Sequence, residues 1–306
     1  MPALTAAIAN LKGGVGKSTT TVMLADGLAH YYGMNVLVID LDPQANSSQM
    51  LLTERGVQAA ADQGKGVQHI LASFMEGKPP SAAPFIMPNA VTLEELRRAE
   101  ENDERQGWIS SLPAHPQLRL RELSLEEEWY SRSGTPTTLS DALSKFFREA
   151  FEPLLPLYDI ILLDCPPHLS PLARAGLSLA DVFITPTIAD SVSTWGTKQF
   201  SDWVGKFIAS DLPSRNFVLI TRFRDTKYAR SVASDLREIY LKDRWFGPTI
   251  PESVHVLNAM DRAAPDSYDT FRGKYAGVTS DVRRLAERFT DFMTQRTGVT
   301  WAKIRD

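Results

Sequence analysis

The 306 residues carry 43% hydrophobic and 23% charged side chains, the composition of an ordinary folded chain with ample core, which excludes a disordered or fibrous class. A single cysteine, Cys165, excludes an internal disulfide framework and any site that takes two Cys ligands from one chain. The net charge of −4 weighs against a bulk nucleic-acid binder, but it is uneven: residues 213–306 hold 17 Lys/Arg against 12 Asp/Glu, and the remainder 16 against 25.

In chain order, short apolar runs alternate with helical patterns. "LTAAIAN" (4–10) reads as a first strand, with no basic segment before it that would suggest a signal peptide. A helical spacing follows over 18–31, set by Val22, Leu24, Ala25, Leu28 and Ala29. "NVLVID" (35–40) and "YDIILLD" (158–164) are continuous apolar runs ending in aspartate, as expected of parallel strands buried on both faces. "DVFITP" (181–186) and "NFVLITRF" (216–223) complete the alternation, and "WISSLPAHPQL" (108–118) could return to the sheet as a short strand. The pattern predicts a doubly wound α/β fold, a mostly parallel sheet flanked by helices. We expect one domain over 1–306, with a surface excursion at 76–107 that contains an acidic helix at 92–105. No apolar run approaches the ~18 residues that span a bilayer, and a cytoplasmic protein is expected.

The chemistry concentrates after the first strand. In "NLKGGVGKSTTTVML", Gly16, Lys17 and Ser18 fit the phosphate loop G-x-x-x-x-G-K-[ST], yet Leu11 stands where the leading glycine belongs, and beside it is Lys12. A turn built from Gly13, Gly14, Val15 and Gly16 offers backbone N–H groups, with a helix N-terminus behind them, to a phosphate. Lys17 would reach the β- and γ-phosphates and Ser18 would ligate Mg²⁺. Asp164, closing its strand before "CPP", would hold the metal through a water. No N-K-x-D motif for guanine is found, which favours ATP. In such a sheet, ligands bind at the carboxyl ends of the strands.

"KGGVGKST" resembles the deviant phosphate loop of the ParA/MinD family, in which a signature lysine precedes the glycines. "VIDLDPQANSS" (38–48) and "YDIILLDCPPHLSPL" (158–172) are similar to that family's two switch segments, and "ITPTIADSVSTWGTKQF" (184–200) and "IPESVHVLNAM" (250–260) to its later parts more loosely. The resemblance implies a P-loop ATPase using ATP and Mg²⁺. Lys12 would act across an ATP-sandwiched homodimer, Asp42 would orient the attacking water, and Asp40 would lie beside the metal and phosphates. Thr19 and Pro251 join the implied nucleotide contacts. His168 stands where many relatives carry serine.

Within the family, the single cysteine excludes the iron–sulfur carriers. The first strand begins at once, so the chain reads as the smaller ParA/Soj type without an N-terminal helix-turn-helix. The amphipathic stretch 280–295 fits either a final helix packed on the sheet or the membrane helix of a MinD-like positioning ATPase; the first is favoured. Expected partners are a ParB-like adaptor or centromere-binding protein and non-specific double-stranded DNA at the nucleoid. Arg222, Arg224, Lys227, Arg230 and Arg237, with Lys242 and Arg244 after them, are the candidate phosphate contacts, with a solvated helix face paired to Asp235, Glu238 and Asp243 as the plain alternative.

Overall fold

A computed structural model describes residues 3–90, 93–101, 107–131, 137–208, 210–211, 215–239, 247–261 and 268–305. Six strands form one sheet: β1 (Leu4–Ile8), β2 (Val36–Asp40), β3 (Ile109–Leu112), β4 (Ile160–Asp164), β5 (Val182–Thr187) and β6 (Asn216–Ile220). Their order is β3-β2-β4-β1-β5-β6 and every pairing is parallel. The expected doubly wound α/β architecture is present, and 108–118 does return to the sheet, as edge strand β3.

The continuous apolar runs follow from burial on both faces. Along β2, Val36 and Val38 enter one core while Leu37 and Ile39 enter the other; along β4, Ile160 and Leu162 separate from Ile161 and Leu163 in the same way. Helix α1 (Lys17–Tyr32) and α12 (Thr279–Thr297) cover the first face. The second is covered by α3 (Val67–Met75), α5 (Gln117–Ser131), α6 (Leu139–Phe151), α7 (Pro171–Leu177) and α8 (Ser191–Phe207). The remaining helices are α2 (Asn46–Asp62), α4 (Glu94–Glu101), α9 (Lys227–Ile239), α10 (Val254–Ala259) and α11 (Phe271–Tyr275).

The apolar stripe of α12 is fully occupied within the chain. Val282, Leu285, Ala286 and Phe289 are buried against α1, where a β-carbon at Gly27 would lie only 3.1 Å from Ala286. A helix packed this tightly has no apolar face left for a lipid surface, so the packed-helix alternative describes 280–295. No helix among the described residues is long and apolar enough to cross a membrane.

The stretch 76–107 differs from a bare surface excursion. Ala90, Leu93 and Leu96 enter the core beside α1, Ala82 and Ile86 enter the other, and Met87 exchanges backbone hydrogen bonds with Ser111 on β3. Its helix is α4, Glu94–Glu101; of the expected 92–105, residues 92 and 102–105 lie outside the described residues. Prolines and charges break these apolar residues into groups too short to read as an element of the sheet or its flanking helices.

A buried ion pair ties α1 to the C-terminal region. Lys274 Nζ on α11 lies 2.6 Å from Asp26 Oδ2, and the Tyr275 hydroxyl donates to the same oxygen at 2.5 Å. All three side chains are buried. The helix that begins at the phosphate loop is thereby anchored near its middle.

Candidate nucleotide site

The carboxyl ends of β1, β2, β4 and β6 meet around a cavity of about 520 Å³, within the range of small-molecule sites. The loop between β1 and α1 forms one wall. Gly14 and Gly16 have φ of 73° and 82°, the left-handed region that a side chain resists, and Gly16 is the residue from which α1 starts. Gly13 has an ordinary φ, and a β-carbon there would meet nothing in the chain, so crowding by protein atoms does not explain it. The side chain of Val15 is buried, while Gly13, Gly14, Gly16, Lys17, Ser18 and Thr19 line the cavity.

Two carbonyls of the loop are gripped from β6. Thr221 Oγ1 donates to Val15 O at 2.7 Å, and Arg222 Nη1 donates to Gly14 O at 3.0 Å. Lys17 is buried; its ammonium donates to the Lys12 carbonyl at 3.3 Å. Burial lowers its pKa, against the attraction of Asp164 and Asp42.

The aspartates divide into three roles. Asp42 lines the cavity, and its carboxylate accepts from the Gln44 N–H at 2.9 Å. Asp40 does not line it. Its carboxylate accepts from the Asp42 N–H at 3.0 Å, the Ser48 N–H at 3.0 Å and the Ser48 hydroxyl at 2.6 Å, so it fixes the turn that presents Asp42. Burial pushes its pKa up to about 6. Asp164 pairs in register with both Ile8 and Asp40, which sets it at the sheet's centre below the loop. Both of its oxygens are buried and lack a hydrogen-bond partner. Burial, then the Asp40 charge, pushes its pKa up to about 8, while the Ser18 and Ser47 hydroxyls and Lys17 oppose the rise. A buried carboxylate left without a partner, with a serine hydroxyl and a lysine close by, suits a hydrated divalent cation that would stabilise its charged form.

Lys12 lies outside the cavity. Its ammonium takes the hydroxyl of Ser193 at 2.6 Å and the carboxylate of Asp190 at 3.3 and 3.4 Å. Asp190 also caps α8 by accepting from the Ser193 N–H at 2.7 Å. Burial opposes ionisation of this carboxyl, but the Ser193 groups and Lys12 hold its pKa below the ordinary value. Within one chain, then, Lys12 has a partner of its own, which the sequence does not foretell.

The opposite wall is the 250–257 segment. Pro251 lines the cavity with Ile250, Val256 and Leu257, and Phe223 exchanges backbone hydrogen bonds with Ile250 and Glu252. Arg222 and Arg224 differ from the expected free cationic patch: both guanidiniums pair with Glu252 at the mouth of the cavity. Of the other candidates, Lys227, Arg230 and Arg237 lie on α9, where Arg230 pairs with Asp225 at 3.2 Å. Lys242 and Arg244 lie outside the described residues. The reason is topological: β6 stops at Ile220, so Arg222 falls in the turn facing the loop instead of on the following helix. His168 is exposed, next to Pro167 of the cavity lining, and desolvation and Arg119 lower its pKa.

Residues 3–215 match the AAA-domain family AAA_31. Among curated proteins, the chain is 31% identical over 286 residues to the chromosome-partitioning ATPase Soj of Thermus thermophilus, covering 92% of this chain and 93% of that one. Among solved structures, a plasmid partition protein from Borrelia burgdorferi bound to AMPPNP superposes with a TM-score of 0.65 at 22% identity, covering 95% and 99% of the two chains. The cobyrinic acid a,c-diamide synthase of Mycobacterium smegmatis, with ADP and magnesium, superposes at 0.61 with 20% identity, covering 99% and 100%. Fold alone thus spans partition and synthetase chemistries, whereas the sequence identity runs to Soj. With the deviant loop, both switch aspartates and the six-stranded parallel sheet in place, the chain belongs to the ParA/Soj family of P-loop ATPases within AAA_31.

Proposed function

We propose that this protein is a Mg²⁺-dependent, slowly hydrolysing ATPase that dimerises on ATP, binds DNA without sequence preference and positions a cargo through an adaptor protein that stimulates hydrolysis. The observation that carries the catalytic part is the placement of Asp42 and Lys17 on one cavity, over an unpartnered buried Asp164. The loop amides and Lys17 bind the β- and γ-phosphates. Ser18 and, through a water, Asp164 would hold magnesium, which would supply positive charge against the phosphate oxygens. Asp42, fixed by Asp40, orients the attacking water toward the γ-phosphate. Lys12 supplies positive charge to the partner's phosphates, as an arginine finger does in trans, after leaving Asp190 and Ser193.

The nucleotide-bound relatives and the Soj likeness support this reading. DNA association rests on the basic C-terminal third and on α9, with the Arg222 and Arg224 contribution reduced by their pairing to Glu252. In the test, Lys17→Ala loses ATP binding in a titration, while Asp42→Ala keeps binding and loses turnover, because Lys17 meets ground-state phosphates and Asp42 meets only the water. Equal ATP affinity for wild type and Lys17→Ala would overturn the site. For DNA, filter binding to random duplex at two salt levels is expected to require ATP and to fall with a log–log slope near ~0.9 per phosphate contact. Binding that is absent at low salt with ATP would overturn that part.

A further inference from the structure

Arg222 lies at the bend two residues past the end of β6, and its φ of 49° places a non-glycine residue in the left-handed region. Backbone strain of this kind persists where the surroundings over-determine it, and it is frequent at functional sites. The consequence here is directional. The guanidinium turns back over the phosphate loop, with Nη1 on the Gly14 carbonyl at 3.0 Å and Nη2 on Glu252 at 3.1 Å.

Those two contacts belong to different walls of the cavity. Gly14 is the phosphate wall, and Glu252 adjoins the apolar segment of Ile250, Pro251, Val256 and Leu257. Phosphates have no use for that second wall; it is shaped for the flat apolar face of a nucleobase. Ser253, next to Glu252, starts α10 by accepting from the His255 N–H at 3.1 Å, so a shift at Glu252 moves the beginning of that helix. The loop contact falls on a carbonyl, leaving the loop amides to face a ligand.

From this geometry we infer that Arg222 is a positioning residue that couples the phosphate loop to the wall that takes the base, so that the nucleoside half of the ligand strengthens the grip on its phosphate half. The inference rests on the cavity being the ATP site. It also gives Arg222 and Glu252 a role at the nucleotide, distinct from contact with DNA.

The test compares binding of MgATP and of magnesium tripolyphosphate, which has phosphates but no base, by calorimetry. Glu252→Ala removes the base-wall end of the link together with the Arg224 pair, so Arg224→Ala, expected to leave the ATP-to-tripolyphosphate ratio unchanged, is its control. Glu252→Ala is expected to weaken ATP about 3- to 5-fold, the scale of an exposed charged contact, while tripolyphosphate changes by less than about 2-fold. Arg222→Ala removes both ends and is expected to weaken both ligands, ATP more. In the double variant the ATP-to-tripolyphosphate ratio should equal that of Arg222→Ala, because the link is already broken. Glu252 is at the surface, so its variant reads the coupling even if Arg222→Ala folds poorly. A ratio that is the same in wild type and Glu252→Ala would overturn the coupling while leaving the ATP site standing. Wild-type protein that binds neither ligand would overturn the ATP site itself.

Discussion

The charged groups around the phosphate loop form two regions that differ in how they meet water. On the β2–β4 side, Lys17, Asp40, Asp42 and Asp164 are buried, as are Asp26 and Lys274 behind them on α1 and α11. On the β5–β6 side, Lys12 with Asp190 and Arg222 and Arg224 with Glu252 keep a quarter to three-quarters of their side chains exposed. Buried charges cannot exchange one partner for another without a large desolvation cost, whereas exposed pairs are held by less than about 1 kcal/mol and exchange readily. The first region therefore suits fixed chemistry and the second suits contacts that are made and broken in a cycle.

The strongest way to break that contrast is at the buried pair. Lys274→Ala leaves Asp26 charged and without its ammonium inside the core, which should cost about 3–5 kcal/mol of stability. Urea denaturation measures it. A loss below about 1 kcal/mol would place this pair in the exchangeable class and erase the distinction.

A smaller effect is expected at Glu122, a buried residue of α5 that accepts from the Ser170 hydroxyl at 2.5 Å, while its other oxygen has no hydrogen bond and only the Arg119 guanidinium at 3.8 Å. Ser170 caps α7, directly after the Asp164 switch. Burial raises the Glu122 pKa, and the Ser170 hydrogen bond opposes the rise. With the folded pKa above the unfolded value of about 4.3, the native state binds more protons. Stability from this group is complete below that value and is lost as pH rises through the folded pKa. Relative to wild type, Glu122→Gln should thus gain stability as pH rises from 5 to 8. Parallel stability curves for the two proteins across that range would contradict it.

The two regions also differed in how far the sequence revealed them. Asp40 and Asp164 announce themselves by ending apolar runs, and the loop by its glycines, because each signal lies within a few residues. The β5–β6 region is built from contacts across the chain: Lys12 meets Asp190 178 residues away, and Arg222 meets Gly14 208 residues away. Spacing carries no information at such separations. Asp190 and Glu252 carry no such signal, since Asp190 stands in the loop past the end of β5 and Glu252 far beyond β6. The burial of Glu122 had none: it sits in "RLRELSLEEEWY", among acids that face water.

The smallest effect concerns the exposed pair. Asp190→Asn keeps the cap on α8, since asparagine caps as well as aspartate, but removes the charge that holds Lys12. Folding stability should change by less than about 1 kcal/mol, and the ATP concentration that gives half-maximal dimer should fall up to about 5-fold, read by analytical ultracentrifugation. Weaker assembly in Asp190→Asn would mean that the Lys12–Asp190 contact belongs to the dimer-competent state.

In the function proposed above, ATP brings two chains together and Lys12 then serves the partner's site. Light scattering on Asp42→Ala protein, which should bind ATP without consuming it, tests this most directly. With saturating MgATP the account predicts twice the monomer mass, returning toward the monomer when Lys12→Ala is added to the same protein. A monomer at saturating ATP, or a dimer indifferent to Lys12, would contradict it.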